Sequence, residues 1–150
     1  MKSIFDPSSV SVFSERIDKL NNDHSAIWGK MSAYQMLKHC VLSEHMYLGD
    51  HSYNRLFIGK LFGKMALKSI LKDDSPLKKN QPTHPEFKIV GEGDITPLQK
   101  DWKELLKRYL KTPDNSFSGF IHPFFGPMSK EQIGQYVYKH TDHHLRQFGL

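Results

Sequence analysis

The chain has 150 residues, of which 38% are hydrophobic and 25% are charged, and its formal net charge is +5. These values are typical of one globular domain covering residues 1–150, and they exclude a disordered or membrane-embedded chain. The moderate positive charge comes without a nucleic-acid-binding motif, so we expect no nucleic acid among the partners.

Cysteine usage and the N-terminal sequence bear on the compartment. A single cysteine, Cys40, rules out an intrachain disulfide and suits a reducing environment. The N-terminal segment is interrupted at Asp6-Pro7 and lacks the apolar run of a secretory signal. No apolar stretch approaches the ~20 residues that a membrane span needs. We therefore expect a cytoplasmic protein with no membrane span.

Four points in the chain carry the signals of a helix N-terminus. The first is Asp6-Pro7. The others are Ser32–Gln35, Thr96–Gln99 and Ser129–Gln132, each with a hydroxyl residue followed three positions later by glutamine. This spacing is the capping-box pattern, in which the hydroxyl residue is the N-cap. Pro97 fits the first helical position after Thr96.

Apolar residues recur behind each of these starts at the spacing of one helix face. They are Val10, Phe13, Ile17 and Leu20 in the first segment; Ala33, Met36, Leu37, Cys40, Val41 and Leu48 in the second; Leu98, Trp102, Leu105 and Tyr109 in the third; and Ile133, Tyr136, Val137 and His140 in the last. The predicted ends are at 21–23, Gly49, Thr112-Pro113 and Gly149. We predict an all-α fold, an up-and-down four-helix bundle.

An insert at residues 55–74 separates the second and third of these helices. Its lysines, Lys60, Lys64, Lys68 and Lys72, recur every four residues among apolar positions. We predict one or two short helices lying across the bundle, followed by a proline-rich loop at 75–93. The lysines are typical of a solvated helix face; a lid, a contact with an anionic cofactor and a membrane-surface patch are the alternatives.

Three histidines, His140, His143 and His144, lie in the last turns of the final helix. His144 is about 40° around the helix from His140 and one turn along, so both point with the apolar residues, while His143 lies on the flank. His39 is on the apolar side of the second helix. We predict that His39, His140 and His144 bind one divalent metal ion. Three protein ligands leave coordination positions open for water or substrate.

Two simpler interpretations of the histidines remain open. Protonated histidines near a helix C-terminus interact favourably with the helix dipole, and buried histidines are often hydrogen-bonded core residues. The dipole does not explain why His140 and His144 lie on the apolar face of the last helix while His39 lies on the apolar side of the second. Imidazole ligands suit zinc or nickel, with iron as a further candidate. Tyr136, one turn before His140, is a candidate catalytic group that could hydrogen-bond a metal-bound water; a core aromatic is the alternative.

The chain resembles a DinB-like family of uncharacterised bacterial proteins in two stretches, WGKMSAYQMLKHC at 28–40 and HPFFGPMSKEQIGQYVYKHTDHHLRQFGL at 122–150. This family belongs to the wider DinB/YfiT-like superfamily of candidate metalloenzymes. The resemblance implies a four-helix bundle whose second and last helices hold a divalent metal, at His39, His140 and His144. It also implies a homodimer, and relatives that include transferases and isomerases using low-molecular-weight thiols.

Two functional hypotheses follow for this chain. The first is a metal-dependent enzyme acting on a small-molecule substrate, by thiol transfer or by hydrolysis. A cation held by three neutral imidazoles keeps its charge and would activate a bound water or thiol. The second is a non-catalytic metal-binding or interaction scaffold, in which the basic insert meets a partner. Open coordination positions favour the enzyme, whereas a fourth protein ligand would favour the scaffold.

Overall fold

A computed structural model describes all residues, 1–150. The chain forms five α-helices and one two-stranded antiparallel hairpin. The elements are α1 (Pro7–Lys19), α2 (Ala33–Tyr47), α3 (Phe57–Ile70), α4 (Thr96–Tyr109), β1 (Ile121–His122), β2 (Gly126–Pro127) and α5 (Lys130–Gln147), with short 3-10 helices at Pro85–Phe87 and Asp114–Phe117. The all-α prediction is therefore confirmed in its general form, and the small hairpin is an addition that the sequence did not predict.

Four helices, α1, α2, α4 and α5, surround the hydrophobic core. Helix α2 packs on α4 and α5, and α1 packs on the same two helices. Fully buried side chains from each helix meet there, among them Phe13, Leu37, Trp102 and Ile133. The core is formed by the apolar stripes that the sequence shows, because each helix buries one face. No helix combines the length and the hydropathy that a bilayer crossing requires.

Two of the three predicted capping boxes are present. Ser32 and Ser129 accept hydrogen bonds from the backbone N–H of Gln35 and Gln132, and each glutamine side chain binds back to its serine N–H. The third was wrong, because α4 begins at Thr96 itself and Ile95 is the N-cap. The Thr96 N–H donates to the side chain of Asp94 at 2.9 Å, which starts the helix one residue earlier than predicted.

The insert forms one helix, α3, whose contact with the hairpin turn is made by two glycines. Gly59, Gly63 and Leu67 are buried, whereas Phe57, Leu61 and Met65 are 76%, 63% and 66% exposed. A Cβ atom at either glycine would overlap the carbonyl oxygen of Phe124. Only glycine allows this close approach of α3 to the hairpin turn. Phe57, Leu61 and Met65 therefore point away from the core.

Lys139 anchors the end of α3 to α5. Its side chain is 6% exposed, and its ammonium group donates to the carbonyl oxygens of Ile70, Asp73 and Ser75 at 2.8, 2.5 and 2.8 Å. The Ile70 carbonyl lies at the C-terminus of α3, where backbone acceptors lack helical partners and a cation is favoured, and the other two follow in the next five residues. The contact places the insert beside the part of α5 that carries His140.

Candidate metal centre

The structure brings His39, His140 and His144 together between α2 and α5. The Nε2 atom of His140 lies 3.2 Å from Nε2 of His39 and 3.2 Å from Nε2 of His144. All three potential ligand atoms lie within 4.8 Å of one another. The i, i+4 spacing on α5 places His140 and His144 on one face, as the sequence predicted. The sequence separation of 101 residues between His39 and His140 is bridged by the packing of α2 against α5.

The His39 ring is oriented by the backbone of the 3-10 helix Pro85–Phe87. Its Nδ1 atom lies 3.2 Å from the carbonyl oxygen of Phe87. A carbonyl oxygen only accepts hydrogen bonds, so Nδ1 carries the proton and donates. The neutral ring then has a free lone pair on Nε2, and this atom faces His140.

The His144 ring is oriented in the same way by a side-chain amide. Its Nδ1 atom lies 3.0 Å from Oε1 of Gln147, which is 3% exposed. The amide nitrogen of Gln147 donates to the carbonyl oxygen of Trp28 at 2.9 Å, and this contact fixes which end of the amide faces the histidine. His144 therefore donates through Nδ1, and its Nε2 lone pair also faces His140.

The three rings are neutral near pH 7. Burial lowers the pKa of His140 and His144 well below the ordinary histidine value, and the neighbouring imidazoles lower it further. Burial also lowers the pKa of His39, partly offset by its hydrogen bond to Phe87. His39 and His144 are 5% and 6% exposed, and His140 is half-buried. Neutral imidazole is the form that binds a cation.

These residues fit a metal ion through their spacing and their tautomers. Zinc–imidazole bonds of about 2.0–2.1 Å in tetrahedral geometry separate two ligand nitrogens by roughly 3.3 Å. Both Nε2–Nε2 contacts of His140 are 3.2 Å. Metal-binding histidines typically donate their other N–H to a carbonyl or similar acceptor, as His39 and His144 do here. Three histidines together could hold a metal ion, and the structure does not select which one.

A comparison with family models matches residues 8–149 to the family described as "Protein of unknown function (DUF1569)". The chain belongs to this family. The resemblance to a DinB-like family is therefore wrong, and its implied thiol chemistry and homodimer lose their basis. No curated protein and no solved structure matches the chain. DUF1569 carries no stated activity, so the function has to be argued from the site itself.

Tyr136, the candidate catalytic group, lies beside His140. Its ring stacks on His140 with centroids 5.9 Å apart and an interplanar angle of 17°. Burial raises the pKa of its hydroxyl above the ordinary tyrosine value, so the group stays protonated and can donate a hydrogen bond. Cys40 points elsewhere, with its Sγ atom 3.8 Å from the sulfur of Met36 in the core. His143 packs on the ring of Trp28 and on His144 at the edge of the cluster.

Sequence reasoning missed three polar residues near the centre, Arg55, His84 and His122. All three lie outside the five helices, where no helical periodicity indicates which side chains point inward. The only local signals are the adjacent prolines of His84-Pro85 and His122-Pro123, which mark turns.

A separate cavity of about 330 Å³ lies at the N-terminus of α2, next to the loop at 91–95. Its lining includes Ser32, Tyr34 and Glu92, and it does not include any of the three clustered histidines. This cavity is therefore not the space into which a metal-bound substrate would fit.

Proposed function

We propose that this chain is a metal-dependent hydrolase in which His39, His140 and His144 bind one divalent cation. The carrying observation is that two Nε2 lone pairs, fixed by separate hydrogen bonds to Phe87 and Gln147, point at the Nε2 atom of His140. One imidazole proton on His140 can satisfy only one of the two lone pairs. A cation among the three nitrogens satisfies all of them.

The ligand set supports hydrolysis as the reaction class. Three neutral imidazoles leave the full charge of the cation, which lowers the pKa of a bound water to near neutrality. Tyr136, stacked on His140, would hold a protonated hydroxyl beside that water. The thiol-transfer hypothesis depended on the family resemblance, which the DUF1569 match overturns. No side chain of the cluster favours a thiol over water as the ligand of the cation.

Zinc is our first choice of metal and nickel the second. Two of the three nitrogen pairs, at 3.2 Å, have the spacing of a tetrahedral zinc site, and all three nitrogens lie within 4.8 Å of one another. Iron(II) oxygenase sites use two histidines and one carboxylate, and this cluster contains no carboxylate. The predicted up-and-down bundle of α1, α2, α4 and α5 would be the rigid scaffold that holds the ligands in place.

A non-catalytic metal-binding scaffold is the second candidate. It is favoured by the deep burial of His39 and His144, and by the position of the 330 Å³ cavity away from them. The two candidates differ in whether the cation keeps a coordination position that a small molecule can reach. The half-buried His140 favours such access.

Metal content tests the site, with His140→Ala as the variant and His51→Ala as the matched control, because His51 is exposed and outside the cluster. We expect one zinc per chain in the wild type and in His51→Ala, and at least a tenfold weaker affinity in His140→Ala, with circular dichroism confirming that all three are folded. Equal zinc content in all three would refute the site. Cobalt(II)-substituted protein then separates the candidates: azide should change the visible spectrum of an open site and leave that of a closed scaffold site unchanged.

A further inference from the structure

A second polar cluster lies at the hairpin and consists of Arg55, His84 and His122; we call it the donor cluster. The guanidinium group of Arg55 rests on Gly126, where an added Cβ atom would lie 3.1 Å from its Nη2 atom. Gly126 pairs with His122 across the hairpin, so Arg55 and His122 are neighbours. His84 joins them from the loop before Pro85: its ring centroid lies 5.7 Å from that of Phe87, which lies 5.9 Å from that of His39. Burial lowers the pKa of His122 to about 3.

His122 presents one free N–H group. Its Nδ1 atom accepts hydrogen bonds from the backbone N–H groups of Phe124 and Phe125 at 3.0 and 3.1 Å. The proton of the neutral ring must therefore be on Nε2, which has no hydrogen-bond partner in the protein. The side chain of His122 is only 9% exposed.

His84 repeats this arrangement. The backbone N–H of Glu86 donates to its Nδ1 atom at 3.2 Å, which puts the ring proton on Nε2. That Nε2 atom is buried and has no hydrogen-bond partner. Two histidines from different loops are thus fixed by backbone amides in the same tautomer, each with an unpaired donor.

Arg55 adds a charged donor without an acidic partner. Its one hydrogen bond within the protein runs from Nη2 to the carbonyl oxygen of Gly59 at 3.4 Å, and its Nε atom is buried and unpaired. None of the ion pairs in the structure includes Arg55. Leaving a buried donor unpaired is unfavourable, and more so when the group is charged.

The donor cluster adjoins the candidate metal centre through two aromatic residues. Tyr136 has its ring centroid 6.1 Å from that of His122 and 5.9 Å from that of His140. Phe87 has its ring centroid 5.7 Å from that of His84 and 5.9 Å from that of His39. Each of the two rings therefore lies between a histidine of the donor cluster and a histidine of the candidate metal centre.

We propose that Arg55, His84 and His122 bind an anionic group, a carboxylate or a phosphate, of the molecule that reacts at the metal centre. All the unpaired groups of the cluster are donors, and the oxygens of such an anion only accept hydrogen bonds. The guanidinium group matches the fork of two anionic oxygens, and the histidine N–H groups add neutral donors. This inference names the substrate class and rests on the proposed hydrolase for the identity of the reacting site.

Isothermal titration calorimetry with inorganic phosphate and with propionate tests the proposal on wild-type protein, Arg55→Gln, Arg55→Lys and the control Lys79→Gln. Lys79→Gln removes the same charge from a lysine that lies over the ring of Trp28. We expect Arg55→Gln to weaken anion binding 10- to 100-fold and Arg55→Lys to weaken it less. Lys79→Gln should stay within twofold of the wild type. The tighter of the two anions identifies the group. Melting curves and zinc content, which Arg55→Gln should retain, show that the variants are folded.

Repeating the titration on His140→Ala separates this proposal from the metal site. Anion binding that persists in His140→Ala and is lost in Arg55→Gln supports the donor cluster. Anion binding that is lost in His140→Ala and unchanged in Arg55→Gln places the anion on the metal, which refutes the donor cluster and leaves the hydrolase standing. Binding of neither anion by the wild type also refutes it. If the wild type does not bind zinc but still shows anion binding that depends on Arg55, the hydrolase is refuted and the donor cluster stands.

Discussion

Glu44 is a carboxyl group in the centre of the core, and its titration should control the pH dependence of stability. The side chain is 0% exposed. It accepts hydrogen bonds from the hydroxyl of Tyr109 at 2.6 Å and from the indole N–H of Trp102 at 3.3 Å. Burial raises the pKa of Glu44 from 4.5 to about 7, although both hydrogen bonds act to lower it. The folded protein therefore holds a proton that the unfolded chain releases.

The sign and size of the effect follow from this difference in pKa. The folded state binds more protons than the unfolded state between the two pKa values, so the free energy of unfolding falls as the pH rises through that range. The range runs from 4.5 to about 7. At about 1.4 kcal/mol per pKa unit, the loss between pH ~4 and pH ~8 is about 3 kcal/mol.

The assay is urea unfolding of the wild type and Glu44→Gln at several pH values, with both proteins in the same metal state. The amide of Glu44→Gln cannot titrate. Between pH ~4 and pH ~8, the free energy of unfolding of the variant should therefore rise by about 3 kcal/mol relative to that of the wild type, which is roughly 1.5 M in urea midpoint. Lys107 lowers the pKa of the exposed Glu104, so the control Glu104→Gln should show a small change of opposite sign. A difference between wild type and Glu44→Gln that does not vary with pH would refute the argument.

Three further predictions concern individual contacts. Lys139→Met leaves three backbone carbonyls without their donor, so we expect about 2–4 kcal/mol less stability in urea unfolding and faster amide hydrogen exchange in α3. Gly63→Ala puts a Cβ atom 2.9 Å from the Cα atom of Phe125, so the melting temperature of this variant should fall. The control is Gly49→Ala, at a position with open space but a φ of 82°, and it should lower the free energy of unfolding by only about 1 kcal/mol. Gln147→Met removes the acceptor for His144, so zinc affinity measured by competition with a chelator should fall about 10- to 100-fold while the fold persists.

Local signals in the sequence predicted the helices well, and contacts between distant segments limited the rest. The capping boxes at Ser32 and Ser129 were right because all their partners lie within four residues. The start at Thr96 was displaced by Asp94, another local acceptor. The orientation of α3 could not be predicted, because two glycines are buried there through their contact with Phe124, about 60 residues away. Hydrophobicity alone would have buried Phe57 and Leu61.

The same distinction applies to the site. Helical periodicity was enough to place His140 and His144 on one face, and to choose His39 as the residue opposite them. Metal binding by the three remains a prediction. The donor cluster was missed because its residues lie outside the helices, where no periodic pattern shows which side chains point inward. The tautomers of His84 and His122 are fixed there by backbone amides, and the sequence does not reveal these contacts. The family resemblance based on the stretches at 28–40 and 122–150 was wrong, and a histidine site by itself does not identify a family.

The candidate ligands come from distant parts of the chain, with a sequence separation of 101 between His39 and His140. A cation held by both would act as a reversible cross-link that closes this long loop, and it would bind the unfolded chain only weakly. At a free metal concentration about 100 times the dissociation constant, this linkage adds about 2.7 kcal/mol to the free energy of unfolding. For a chain of this size, that corresponds to a melting temperature higher by roughly 5–10 °C. The supply of metal would then set the lifetime of the folded protein as well as its activity.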